Sequence, residues 1–75
     1  MYKEKFANRL KSLRKAANKN QDDIAEFLNI SYAAISMMES GKRAPSFDVL
    51  CSLADYFNVS LDYLVGRSDT SEINK

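Results

Sequence analysis

Between Asn20 and Arg43 the chain reads N-Q-D-D-I-A-E-F-L-N-I-S-Y-A-A-I-S-M-M-E-S-G-K-R, two short helical patterns divided by a tight polar break. Asn20 suits an N-cap, and Asp22 and Asp23 fall in the first turn, where the helix dipole favours anions. Gln21 to Leu28 then places Ile24, Ala25 and Leu28 on one face. Asn29 is the turn residue, since Asn tolerates the left-handed backbone better than any residue but Gly. Ser31 caps the next helix, Tyr32 to Ser40, which turns Ile35 and Met38 inward and ends at Gly41. The outward positions of this second helix are unusually apolar: Tyr32, Ala33, Ala34 and Met37.

The flanking segments are helical too. From Lys3 to Asn18, Phe6, Leu10, Leu13 and Ala17 recur at steps of four, three and four, an apolar stripe on a cationic helix. Ala44-Pro45-Ser46 is a break and a new cap. It opens a fourth helix through Phe57, with Phe47, Leu50, Leu53, Ala54 and Phe57 as its buried stripe. Asn58-Val59-Ser60 makes another turn before a short fifth helix over Leu61 to Val65. No alternation of period two persists, so the fold class is all-α. Gly66 bounds the ordered domain, residues 1–66, and the polar tail, residues 67–75, is expected to fray.

Seventy-five residues make one domain. Cys51 is the single cysteine and histidine is absent, which excludes a disulfide framework and a structural zinc site. Cys51 reads as a small core residue, with a redox-sensing thiol as the alternative. Without His, a triad or a Gly-rich phosphate loop, the chain does not read as an enzyme and needs no cofactor. The longest apolar run, Tyr32 to Ile35, is far short of the roughly 20 residues of a membrane span. Charges occupy the place of a signal peptide's apolar segment, so a cytoplasmic, nucleoid-associated location is expected. Net charge is +1 but uneven: residues 1–20 hold seven cations against Glu4, and residues 44–75 hold two against five carboxylates. Such polarity presents a positive face to phosphate at near-neutral net charge; the bland alternative is a set of solvated helix cations.

Two short helices joined tightly, the second running into Gly and two cations, form a device for seating one helix in the major groove of DNA. The linked motifs R-L-K-S-L-R, N-Q-D-D-I-A-E-F-L, N-I-S, I-S-x-x-E-S-G-K-R-A-P-S and L-A-D-Y-F-N-V-S-L-D-Y-L carry a family resemblance. From Phe6 to Gly66 the chain resembles the phage-repressor-like helix-turn-helix domains, the Cro/C1 or Xre-type transcriptional regulators. The resemblance implies a compact five-helix, lambda-repressor-like domain. It also implies that Gln21 meets a DNA phosphate and buttresses the reading helix, with Asn20 beside it either joining in or serving only as a cap. Arg14 and Glu39 would pair across the first and third helices, unless Arg14 turns to phosphate instead. Ser40, Lys42 and Arg43 would lie over the sugar-phosphate backbone, where the two cations also suit the helix C-terminus.

The base-facing positions implied by the family are Ser31, Tyr32, Ala33, Ser36 and Met37. None is Arg, Gln or Asn, so no bidentate reader of guanine or adenine is present. Hydroxyls and apolar surface remain, and they predict A·T-rich targets read through thymine methyls and DNA shape. Two half-sites need two reading helices, so a homodimer on a palindromic site is expected. Leu61, Tyr63, Leu64 and Val65 are its candidate surface, with Tyr56 flanking; Leu61 and Leu64 equally suit the monomer core. The competing reading is a protein-interaction module on the same fold, an antitoxin or an antagonist of another regulator, motivated by the apolar reading face.

Overall fold

A computed structural model of the chain describes residues 2–71. It comprises α1 (Tyr2–Ala16), α2 (Gln21–Leu28), α3 (Tyr32–Glu39), α4 (Phe47–Phe57) and α5 (Leu61–Leu64). No strand occurs among the described residues, and no helix there is long and apolar enough to cross a membrane.

The elements begin and end where side chains satisfy the free backbone groups of helix termini. Asn20, Ser31, Ser46 and Ser60 each accept a hydrogen bond from a first-turn amide of α2, α3, α4 and α5. At α2 the cap is reciprocal, because the Asp23 carboxylate accepts from the Asn20 amide at 2.9 Å. All five helices close on a left-handed residue: Asn18, Asn29, Gly41, Asn58 and Gly66. Each closure is doubly bonded. At α3, for example, the Gly41 amide donates to the Met38 carbonyl and the Lys42 amide to that of Met37. Gly41 is needed for its φ of +78° alone, whereas a Cβ on Gly66 would also fall 2.6 Å from Cβ of Lys5.

The core gathers Phe6, Leu10, Ile24, Ala25, Ala34, Ile35, Met38, Leu53, Ala54 and Leu64. It joins α1 to α3 and α5, α2 to α3, and α4 to α5. Phe27 and Tyr56 pack at 4.5 Å between ring centroids with their planes tilted by 46°, and Tyr56 meets Phe57 edge-on, so an aromatic strip ties α2 to α4. Several sequence expectations meet a different outcome here. Ala17 is exposed, because α1 ends at Ala16 and carries the stripe only to the half-buried Leu13; Ala7 is buried instead. Phe47 is 69% exposed, because at the first position of α4 it stands ahead of the rows that reach the core. For Leu64, left open between core and dimer surface, full burial favours the core. The tail does not leave the domain at Gly66. Arg9 stacks 3.9 Å over the Tyr63 ring and donates to the carbonyls of Tyr63 and Ser68, both at 2.7 Å, and to Asp69. The Ser71 carbonyl accepts from the Ser60 amide at 3.0 Å. Residues 72–75 of the tail lie outside the described residues.

Glu39 is the charged residue inside this core, 5% exposed. Its carboxylate accepts from Arg14 Nε at 2.6 Å, from Arg14 Nη2 at 2.9 Å and from Gln21 Nε2 at 3.0 Å. Arg14 Nη1 donates to the Lys19 carbonyl at 3.0 Å. Through one carboxylate, α1, the α1–α2 turn and α2 are fixed to the end of α3. Burial pushes the Glu39 carboxyl toward the neutral form. The bonds from Arg14 and Gln21, with the charges of Arg14 and Lys11, outweigh burial and hold it below the ordinary carboxylate range. The Arg14 guanidinium is raised, chiefly by its hydrogen bond to Glu39.

Arg14→Ala would leave a buried carboxylate unpaired, at a cost of about 3–5 kcal/mol. In a domain of this size that lowers the melting temperature by more than about 10 °C. The Arg14→Met/Glu39→Met double variant should recover most of the loss, since neither charge is left stranded; thermal denaturation followed by circular dichroism checks both. Glu39, lowered in the folded state, contributes stability that is complete above its unfolded value of about 4.3 and is lost as pH falls through the lowered folded value. Denaturant titrations at descending pH should show this acid loss, and Glu39→Gln should flatten it.

Candidate nucleic-acid interface

The α2–α3 unit presents its surface from the caps outward. At the start of α2 the Asn20 side-chain oxygen is committed to the Asp23 amide at 2.8 Å, so its cap role is filled and only its amide N–H groups remain to be offered outward. Helix geometry leaves the Gln21 and Asp22 amides without partners in α2, which makes a place for an anion. The acidic side chains of Asp22 and Asp23 temper the positive potential there. Gln21 is half-buried, its Nε2 on Glu39 and its backbone at the helix start. A group bound at the α2 N-terminus would therefore rest on the residue that also holds α3.

On α3 the structure brings Tyr32, Ala33, Ser36 and Met37 onto one outward face, with Tyr32 55% and Met37 42% exposed. Ala34 does not belong to that face: it is 4% exposed and packs in the core beside Ile35 and Met38. Its spacing of four from Met38 carries that signal in the sequence. The Ser31 hydroxyl oxygen accepts from the Ala34 amide at 3.1 Å, leaving its proton to offer outward. The Ser40 hydroxyl donates to the Met37 carbonyl at 3.0 Å and so serves the end of its own helix. Beyond the Gly41 closure, Lys42 and Arg43 are both exposed. The Schellman bonds fix where they leave α3.

The positive charge available to a polyanion is smaller than the sequence count suggests. Two of the seven cations in residues 1–20, Arg9 and Arg14, are engaged by Asp69 and Glu39. Lys11, Lys15 and Lys19 stay exposed and lead toward the α2 N-terminus. The candidate dimer residues divide as well: Leu61 is half-buried against the core, Val65 is half-buried, and the Tyr63 ring lies under Arg9. The Arg9 clasp has no periodic signature, and only the surplus of cations on α1 hints that some are used internally.

Residues 10–64 match the helix-turn-helix family. The chain is 40% identical over 70 residues to the HTH-type transcriptional regulator ImmR of Bacillus subtilis, an alignment covering 93% of this chain and 55% of ImmR. It is 38% identical over 68 residues to the cryptic phage CTXphi transcriptional repressor RstR of Vibrio cholerae, covering 91% of this chain and 61% of RstR. The chain thus spans a little over half the length of these relatives. Among solved structures it superposes on a transcriptional regulator from Listeria innocua with a TM-score of 0.79 at 33% identity, covering 93% of this chain and 61% of that one. It also superposes on the restriction-modification controller protein C.AhdI of Aeromonas hydrophila with a TM-score of 0.74 at 26% identity, over 83% of this chain and 94% of that one. With five helices in this order and a family match running from Leu10 to Leu64, the chain belongs to the helix-turn-helix, Xre-type family of transcriptional regulators.

Proposed function

We propose that the chain is a sequence-specific DNA-binding regulator that seats α3 in the major groove and represses by occluding transcription. One observation carries the reading: the outward face of α3 is locked in place by Glu39, with exposed Lys42 and Arg43 immediately beyond it. A major groove about 12 Å wide admits a helix of this kind. In this reading the Asn20–Gln21 helix start and the Ser40–Arg43 loop hold phosphates on either side of α3, while Ser31, Tyr32, Ala33, Ser36 and Met37 meet base edges. The repressor RstR among the relatives supports the sign of regulation. Two copies act together. The domain measures 32 × 24 × 21 Å, so two abutting copies suit half-sites roughly 34–36 Å apart. The site of action is then the nucleoid in the cytoplasm.

Phosphate contacts supply affinity and base contacts supply choice, so the two are separable by experiment. In fluorescence anisotropy titrations the association constant should fall steeply with salt. Lys42→Ala and Arg43→Ala should each reduce the log–log slope by about 0.9 and weaken all sequences alike. Weak binding with a flat salt dependence and no preferred fragment would favour the protein-interaction module instead.

Selection of bound duplexes from a random pool should return palindromic sites with A·T pairs under α3, because Tyr32, Ala33 and Met37 offer methyl contact and no bidentate donor. Met37→Arg should introduce a guanine preference in the same selection. Dominant guanine contacts in the wild-type sites would overturn the A·T reading.

A further inference from the structure

Met37 and Met38 are adjacent in the chain and opposite in surroundings. Met38 is 2% exposed and packs in the core, whereas Met37 is 42% exposed on the outward face of α3. The neighbours of Met37 leave its thioether open. A long helical side chain leans back over the turn before its own Cα, which for Met37 is the turn of Ala33, four residues earlier. Ala33 ends at its methyl group. Just past the helix, Gly41 has no side chain, and a Cβ placed there would meet nothing within 4 Å. An accessible thioether thus stands on the face offered to bases, with a protected one beside it in the chain.

Resting on the DNA-binding reading above, we propose that Met37 is an oxidation switch: hydrogen peroxide converts its thioether to the sulfoxide and so withdraws the sequence choice of α3 while leaving the phosphate grip. The sulfur attacks one peroxide oxygen, and an S–O bond forms as the O–O bond breaks. Sulfur is oxidised by two electrons, the peroxide is reduced to water, and the proton of the transferred hydroxyl passes to the departing one. The product side chain is polar and chiral. Its oxygen only accepts hydrogen bonds, so pressed against a thymine methyl it is left unsatisfied at a cost. The Asn20–Gln21 helix start and the cations Lys42 and Arg43 contain no sulfur to oxidise. Phosphate contacts of that kind carry affinity without sequence information, so they persist. The change is reversible, because methionine sulfoxide reductases restore the thioether.

Treating the full chain with hydrogen peroxide tests both halves of the proposal. Tandem mass spectrometry of the peptide spanning residues 20–42, which holds both methionines, should find the added oxygen on Met37 several-fold sooner than on Met38. Fluorescence anisotropy then compares a duplex selected from the random pool with a scrambled one. Oxidised wild type should lose about tenfold on the selected duplex, keep its affinity for the scrambled duplex and keep its salt slope. Methionine sulfoxide reductases should restore the preference. Met37→Leu should choose the selected duplex before and after peroxide, and Met37→Gln should give up the wild-type preference without any oxidant. Cys51→Ala should respond to peroxide as wild type does, which separates the thioether from the thiol. Equal oxidation of Met38 and Met37 would overturn the proposal, as would undiminished choice by the oxidised protein or by Met37→Gln. So would a Met37→Leu protein that loses its choice on peroxide treatment. Reduced wild type that prefers no duplex would instead count against the DNA reading itself, whereas choice that survives oxidation counts against the switch alone.

Discussion

Glu39 is the interaction on which the rest of the architecture depends. A carboxylate with its side chain 2% exposed is tolerable only with its oxygens satisfied, and here Arg14 and Gln21 satisfy them from two different helices. Nonspecific burial would let α3 rotate or slide by a fraction of a turn among isoenergetic packings, as cores tolerate rearrangement of apolar groups of similar volume. A forked guanidinium on a carboxylate does not slide, because its bonds are directional. The register of the outward face of α3 is therefore set by charge geometry together with the apolar core behind it, where Ala34, Ile35 and Met38 pack. The choice of Arg matters here, since a lysine at position 14 could not supply both the Glu39 fork and the bond to the Lys19 carbonyl.

The second constraint is economy. Helices of four to fifteen residues are too short to persist alone, and a chain of this length buries a limited core. Local devices compensate: four polar N-caps and five left-handed closures, three of them Asn. Each cap contributes on the order of 1 kcal/mol, small singly but a large share of the stability of a domain this size. The closures also aim the chain. The two bonds around Gly41 turn it abruptly, so Lys42 and Arg43 leave α3 in a defined direction instead of extending the helix.

Much of this was legible in the sequence because caps and closures are local chemistry. Asn20, Ser31, Ser46 and Ser60 mark helix starts whatever the tertiary structure, and Asn29, Gly41 and Asn58 mark turns. The core followed from spacing wherever a helix was long enough to carry a stripe. Spacing failed at the ends. Ala17 continues the α1 period but lies past its last turn, and Phe47 continues the α4 period but stands ahead of its first contact with the core. The Arg14–Glu39 pair was reached through family likeness, since residues 25 apart carry no periodic signal. Arg9 shows the limit most clearly. Its partners, Tyr63, Ser68 and Asp69, are joined to it only by the return of the chain, so a tail read as free is held to the first helix.

The division between grip and reading in the proposed function has a physical origin in the same residues. Backbone amides at a helix start and flexible cations in a loop accept any phosphate, and they need only be placed. Base discrimination needs polar groups in fixed orientation on α3, and this helix spends its ordered polar contacts elsewhere. Ser31 caps the helix start, Ser40 bonds back to Met37, and Glu39 faces inward. What is left outward is Tyr32, Ala33, Ser36 and Met37, a surface suited to methyl groups and groove shape. If α3 reads bases as proposed, a face so sparing in direct readout would distinguish one site from another by only a small margin per copy. Doubling the contacts through two copies multiplies that margin, since free energies at separate half-sites add. On the proposed function, an apolar reading face and assembly on two half-sites would go together: the less a single α3 can say about bases, the more a DNA-bound regulator gains from a second copy at a fixed spacing.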